Sequence, residues 1–274
     1  MPRSLKLLIL CATALLITTL SARIVIYGDT RTGDDIHARI AQKIGAENPG
    51  IVFHTGDLVS KGEQQHEYDR FHQISQPIYD KAQFFPAKGN HERSSDLFLA
   101  NFPQLKGKKC LVEKDSPAST YYCVKHDSIN FIILDTTQKI SPGSDQYKWL
   151  EAVLDQAPTQ PTIIIQHHPI FSSGKHGDEL GLSFFQPALL ARYNVLAVFA
   201  GHDHCYERSL YKGISYVTTG GGGAPLYDQN SRNDHSKIFL KTHHYCILER
   251  TGKEIKVQVI ALESDPIDSF TLSW

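Results

Sequence analysis

Short runs of β-branched and aliphatic residues punctuate the chain: IVIYG at 24–28, IVFHTG at 51–56, INFIILD at 129–135, TIIIQ at 162–166 and VLAVFAG at 195–201. Runs this continuously apolar mark strands buried on both faces, because a strand with one wet face alternates instead. Between them, apolar residues fall at helical spacing over 35–46, 63–74, 144–156 and 183–191. The alternation predicts a layered α/β fold. Beyond Ser209 the pattern changes to ISYVTTG, THHYCILER and EIKVQVIALE, joined by short turns, which predicts a second, mostly antiparallel sheet packed near the first. No repeat or linker interrupts the pattern. The four glycines from Gly220 to Gly223 follow a strand, but Pro225 rather than a helix comes next. They therefore predict a tight turn where backbones approach closely, not a phosphate-cradling loop.

The N-terminus departs from this pattern. Arg3 and Lys6 precede an apolar run from Leu7 to Leu20, and Ser21 and Ala22 offer a cleavage point. The run is short for a membrane span, so residues 1–22 read as a secretory signal peptide, with an uncleaved anchor as the alternative. Residues 23–274 are then expected to form one domain in the periplasm or outside the cell. Export allows disulfides to persist. Cys110 and Cys123 flank a polar stretch resembling a hairpin loop and are the expected pair, while Cys205 and Cys246 either pair or stay as small buried apolar residues. With 28 Lys plus Arg against 29 Asp plus Glu, the net charge of −1 supplies no field for a phosphate backbone, so nucleic acid is not an expected partner. No membrane partner is expected beyond the N-terminal segment, and nothing fixes the oligomeric state.

Histidine is the unusual count, 14 in all, and it changes the picture. Polar clusters sit just beyond the predicted strands: Gly28-Asp29, Gly56-Asp57, Gly89-Asn90-His91-Glu92, His167-His168-Pro169 and Gly201-His202-Asp203-His204. One such cluster has an ordinary explanation, since an Asp after a strand commonly caps the next helix. Five at the ligand-binding edge of an α/β sheet point to a shared site. Two carboxylates, an amide oxygen and several imidazoles, with no thiolate, suit divalent zinc, manganese or iron. They are too many for one tetrahedral ion. Two ions bridged by a carboxylate accommodate them.

The order Asp, Gly-Asp, Gly-Asn-His, His-x-Pro, Gly-His-x-His resembles the calcineurin-like metallophosphoesterase superfamily. GHDHCYERS at 201–209 and GGGGAPLY at 220–227 are similar to segments of its purple acid phosphatases and their bacterial homologues. The resemblance implies a four-layer αββα sandwich, two mixed sheets flanked by helices, with a dimetal site at the strand ends. It implies Asp57 as the bridging carboxylate, Asp29 and His204 on a first ion, and Asn90, His167 and His202 on a second. It implies that His168 supports the site rather than ligating. His91 matches a residue that contacts substrate and protonates the leaving group, and His176 lies where a second substrate-side histidine is found.

Two positions depart from the pattern. Arg31 stands where most of the superfamily has a histidine ligand, and Ser60 where purple acid phosphatases have a tyrosine. A guanidinium has no free lone pair for a cation but bonds phosphate oxygens in pairs, so Arg31 becomes a substrate-binding candidate. The first ion is left one protein ligand short, with His37 or water to fill the gap. The expected activity is hydrolysis of small phosphate esters, monoesters first, by a metal-bridging hydroxide. The alternatives are a phosphodiesterase on the same site, or a metal-binding protein with impaired catalysis.

Overall fold

The computed structural model describes residues 22–108, 119–264 and 266–274, so the predicted signal peptide lies outside the described residues. Strands β1 (Ile24–Tyr27), β2 (Ile51–His54) and β3 (Gln83–Pro86) run parallel, joined by helices α1 (Asp34–Ala46) and α2 (Gln65–Tyr79). After helix α3 (Ser95–Asn101) the chain enters a second sheet. It runs through β4 (Tyr122–His126), β5 (Ile129–Ile133), helix α4 (Asp145–Gln156), β6 (Thr162–Ile165), helices α5 (Leu180–Ser183) and α6 (Gln186–Leu190), and β7 (Val195–Ala200). The predicted helix over 183–191 is divided between α5 and α6. Pro187 has no N–H to continue a helix from α5 and sits in the first turn of α6.

The C-terminal strands do not build a sheet of their own, as their turn-joined pattern predicts. Strands β8 (Tyr206–Tyr211), β9 (Ile214–Thr219) and β10 (Ser236–Leu240) extend the second sheet, in the order β10-β8-β9-β7-β6-β5-β4. Strands β11 (His244–Thr251), β12 (Glu254–Ala261) and β13 (Pro266–Ser273) return to the first sheet, in the order β13-β12-β11-β1-β2-β3. The reason is β1: all its residues are buried, β2 pairs one edge, and β11 supplies the other with Ile24 opposite Leu248. The result is two mixed sheets with helices outside, the predicted αββα sandwich.

Continuously apolar strands follow from this layering. On β5 and β6, Phe131, Ile133, Ile163 and Ile165 face the space between the sheets, and Phe53 stacks on Phe131 at 4.5 Å. Ile132 and Ile164 point the other way, onto Trp149, Leu150 and Leu154 of α4 and Leu189 and Leu190 of α6. Ser144 starts α4, its hydroxyl accepting from the Tyr147 N–H. Cys205 and Cys246 are free and buried, Cys246 touching the Thr219 hydroxyl. Cys123 is disulfide-bonded, and Cys110, its predicted partner, lies outside the described residues. Among the described residues no helix is long and apolar enough to cross a membrane.

His37, the candidate to complete the first metal site, is turned away from it. Its ring stacks on Phe71 of α2 at 5.3 Å and reaches the Ser75 hydroxyl at 3.5 Å. Burial pushes this imidazole down to about 3, so it is neutral in the folded protein and titrates near 6.5 once unfolded. Its share of stability is present above pH 6.5 and is lost as the pH falls from there toward 3. His37→Phe, which keeps the stacked ring, is expected to remove a few kcal/mol of that acid-induced loss. Urea unfolding of variant and parent at pH 7 and pH 4 measures it; identical pH slopes would refute the assignment.

Candidate metal centre

All six predicted ligands stand just beyond strand C-termini, and both sheets contribute. Asp29, Asp57 and Asn90 follow β1, β2 and β3; His167 follows β6, and His202 and His204 follow β7. Asp29, Asp57 and His202 occupy left-handed backbone, at φ 59°, 56° and 70°. Such conformations are costly for side-chain-bearing residues and cluster at functional sites. The strain is held by bonds within the first sheet and across the seam to the second. The His202 N–H donates to both oxygens of Asp29, at 3.0 and 3.1 Å, and the Asp29 N–H donates to the Gly56 carbonyl. Gly201 permits the approach, because a Cβ there would lie 2.2 Å from Asp29 Oδ2. Gly222 and Ala224 donate to the carbonyls of Gly28 and Asp29, which makes the glycine run the close backbone approach its sequence predicts.

Four donor atoms converge at the second site. Asn90 Oδ1 lies 2.9 Å from His167 Nε2 and 3.1 Å from His202 Nδ1, and His167 Nε2 is 3.3 Å from Asp57 Oδ1. The Nδ1–H of His167 donates to the Thr55 carbonyl at 3.0 Å, so its Nε2 carries a lone pair in the neutral ring. That lone pair faces the oxygens of Asn90 and Asp57, an arrangement that repels unless a cation lies between them. Burial holds His167 well below the ordinary imidazole range, and with its imidazole neighbours it pushes His202 down to about 2. Neutral imidazoles are the ligating form. The donor set fits a divalent ion.

The first site is built differently. His204 donates its Nδ1–H to the Pro225 carbonyl at 2.7 Å, which leaves Nε2 facing Asp29 Oδ1 at 3.7 Å. Burial, followed by the charge of Asp57, raises the Asp29 carboxyl well above the usual range, so this pocket calls for positive charge. Arg31 already supplies one, with Nε donating to Asp57 Oδ2 at 3.1 Å and Nη2 lying 3.4 Å from His204 Nε2. Three protein donors are present, and two of them face a guanidinium.

The other predicted residues gather around these donors. His91 donates its backbone N–H to Asp57 Oδ1 and its Nδ1–H to the Ser60 carbonyl at 2.9 Å, leaving Nε2 4.0 Å from Asp57 Oδ2. The Ser60 carbonyl, not its side chain, is thus what the site uses. The His176 ring lies 4.3 Å from that of His202, tilted by 37°, its loop held by Asp203, whose Oδ1 accepts the His176 N–H and whose Oδ2 accepts the Ser172 hydroxyl. His168 comes closer than expected: one of its nitrogens falls within 4.8 Å of donor atoms of His167 and His202, while Nδ1 bonds Thr136.

Sequence reasoning missed two participants. Tyr227 stacks flat on His204 at 4.1 Å, and only its membership of the GGGGAPLY segment could have drawn attention to it. Glu92 is buried, and its carboxylate accepts from the backbone N–H groups of Asp57, Leu58, Val59 and Gly89.

This geometry has relatives. A profile of the family described as calcineurin-like phosphoesterase matches residues 22–206. The chain is 31% identical to purple acid phosphatase 18 of Arabidopsis thaliana, over 61% of this chain and 42% of that protein. It is 28% identical to a nucleotide pyrophosphatase/phosphodiesterase of Hordeum vulgare, over 75% and 66% of the two. It therefore spans less than half of the Arabidopsis relative's length. In fold it is similar to a purple acid phosphatase from yellow lupin seeds, with a TM-score of 0.72 at 20% identity, over 92% of this chain and 53% of that one. Since the matched segment holds every residue from Asp29 to His204 that converges on the seam between the sheets, the chain belongs to the calcineurin-like phosphoesterase family.

Proposed function

We propose that the chain hydrolyses phosphate monoesters at the seam between the sheets, using divalent manganese, zinc or iron. The observation that carries this reading is the placement of His91. Like His167 and His204 it is anchored through Nδ1 on a backbone carbonyl, but its Nε2 stands farther out, 4.0 Å from Asp57 Oδ2 against 3.3 and 3.7 Å for theirs, and a quarter of its side chain is exposed where theirs are buried. That is the position of a group that meets substrate.

Divalent ions held by Asp57, Asn90, His167 and His202, and by Asp29, Asp57 and His204, would acidify water and draw charge off phosphoryl oxygens. His91 in its imidazolium form would give the Nε2 proton to the departing alcohol oxygen and become the neutral ring, its Nδ1–H still on Ser60. Arg31, on Asp57 and His204, and His176, beside His202, would take the remaining phosphoryl oxygens. That much positive charge suits the dianion of a monoester better than the single charge of a diester. The relatives named as purple acid phosphatases support the same choice, and the barley relative's name supports the diester as the second reading. Export to the periplasm or beyond, with residues 23–274 as the working domain, is part of the proposal.

The test compares p-nitrophenyl phosphate with bis(p-nitrophenyl) phosphate under added manganese or zinc across a range of pH. Faster turnover of the monoester is expected, and the reverse order would move the assignment to diesters. In the same assay His91→Ala is expected to keep its metal and to slow alkyl phosphates by roughly 10²–10⁴-fold, with a smaller effect on the nitrophenyl ester, whose leaving group needs no proton. An equal loss across leaving groups would remove the acid role from His91.

A further inference from the structure

The oxygens of Asp57 serve different masters. Oδ1 faces His167 and the second site, where among the described residues no protein cation touches Asn90, His167 or His202. Oδ2 accepts from Arg31, whose Nη2 lies against His204 Nε2. Those two atoms are the ones an ion would take at the first site. The pair is nearly buried, with side-chain exposures of 17% for Arg31 and 2% for Asp57, so water screens it little. A guanidinium and an ion cannot occupy the same donors at once, because each needs the same lone pairs and both are positive.

The backbone around Arg31 is fixed. The N–H groups of Thr30 and Arg31 both donate to the Asp57 carbonyl, at 3.1 and 3.2 Å. Only the side chain is left to turn. It borders a cavity of about 610 Å³ whose wall also includes Asp35 and Glu67, carboxylates able to receive a displaced guanidinium, and Asp34, which is paired there with Arg70 at 2.9 Å.

Resting on the metal-dependent reading above, we infer that Arg31 competes with the first ion for Asp57 and His204, so that the protein binds its two ions in order and with unequal affinity, the Asn90 site filling first. The first ion enters when the guanidinium swings into the acidic cavity or onto a phosphate. Arg31 is in this sense a tethered cation that holds the first site together until an ion replaces it.

Manganese binding to the full chain tests this, read by the electron paramagnetic resonance signal of free Mn²⁺ and by equilibrium dialysis. The parent is expected to show two classes of site separated by at least about tenfold. Arg31→Gln should tighten the weak class by about tenfold to a hundredfold and leave the tight class unchanged, the scale on which charge-assisted bonds act. Two equal sites in the parent, or an unmoved weak class in Arg31→Gln, would overturn the inference. Should Arg31→Gln fail to fold, His204→Ala carries the test. Loss of the weak class alone supports the inference, and loss of the tight class overturns it. Absence of any bound manganese, zinc or iron would instead bring down the metal-dependent reading itself.

Discussion

Asp57→Asn is expected to empty the metal centre and to slow phosphate monoester hydrolysis by at least about a hundredfold. The substitution is close to a pure removal of charge. Asn has nearly the same volume, and it is among the residues that best tolerate the left-handed φ of 56° found here. An amide oxygen in the Oδ1 position still accepts the His91 N–H, while an amide nitrogen in the Oδ2 position faces the Arg31 donor. What disappears is the one negative charge shared by both sites. Elemental analysis after gel filtration and turnover of p-nitrophenyl phosphate read the two effects together. Parent-like turnover with full metal content would mean that Asp57 does not bridge the sites.

Glu92→Ala should cost most of the folding stability without touching a metal donor. The Glu92 carboxylate accepts four backbone N–H groups, those of Asp57, Leu58, Val59 and Gly89. All are buried around the turn that carries Asp57, and removing the acceptor leaves them without a protein partner. Each buried donor left unpaired costs about 1–3 kcal/mol, against a total stability of about 5–15 kcal/mol for an ordinary domain. Burial and the Asp57 charge push this carboxyl up to about 8, and the donors from Gly89, Val59 and Asp57 act in the opposite direction. Glu92→Gln keeps an acceptor oxygen for some of the donors and should lie between Ala and parent. Urea unfolding measures the order; an Ala variant within about 1 kcal/mol of the parent would show that the loop is held by something else.

The parts legible in sequence were those where a local pattern dictates the outcome. A doubly buried strand has to be continuously apolar, so β1, β2, β5, β6 and β7 announce themselves, and glycine followed by Asp or His marks the turns beyond them. Strands at the sheet margins do not. β10 and β13 are half exposed and carry mixed residues such as SKIFL and PIDSFTLS, which neither periodicity nor composition separates from loop. The sheet to which β11–β13 belong is decided by the pairing of β11 with β1, more than two hundred positions away, and no local signal records it.

The site divides in the same way. The candidate ligands follow from residue type and order, whereas the carbonyls of Thr55, Ser60 and Pro225, which bond Nδ1 of His167, His91 and His204, are backbone atoms that every residue possesses. His37 shows the converse failure. Nearness to Asp29 in sequence suggested a ligand, but the ring is packed against Phe71 and Ser75 of α2.

The pairing of β1 with β11 also sets the order in which the molecule can be made. A ribosome delivers β1, β2 and β3 early, yet the free edge of β1 waits for β11, so an apolar strand stays open while the entire second sheet is synthesised. Open apolar edges invite pairing with other chains, and contacts of such sequence separation form slowly. Chains cut short after β10 would carry that edge permanently, and full-length chains carry it until the last three strands close over it. The interval before β11 pairs with β1 is therefore when this chain is most open to wrong pairing, wherever it folds.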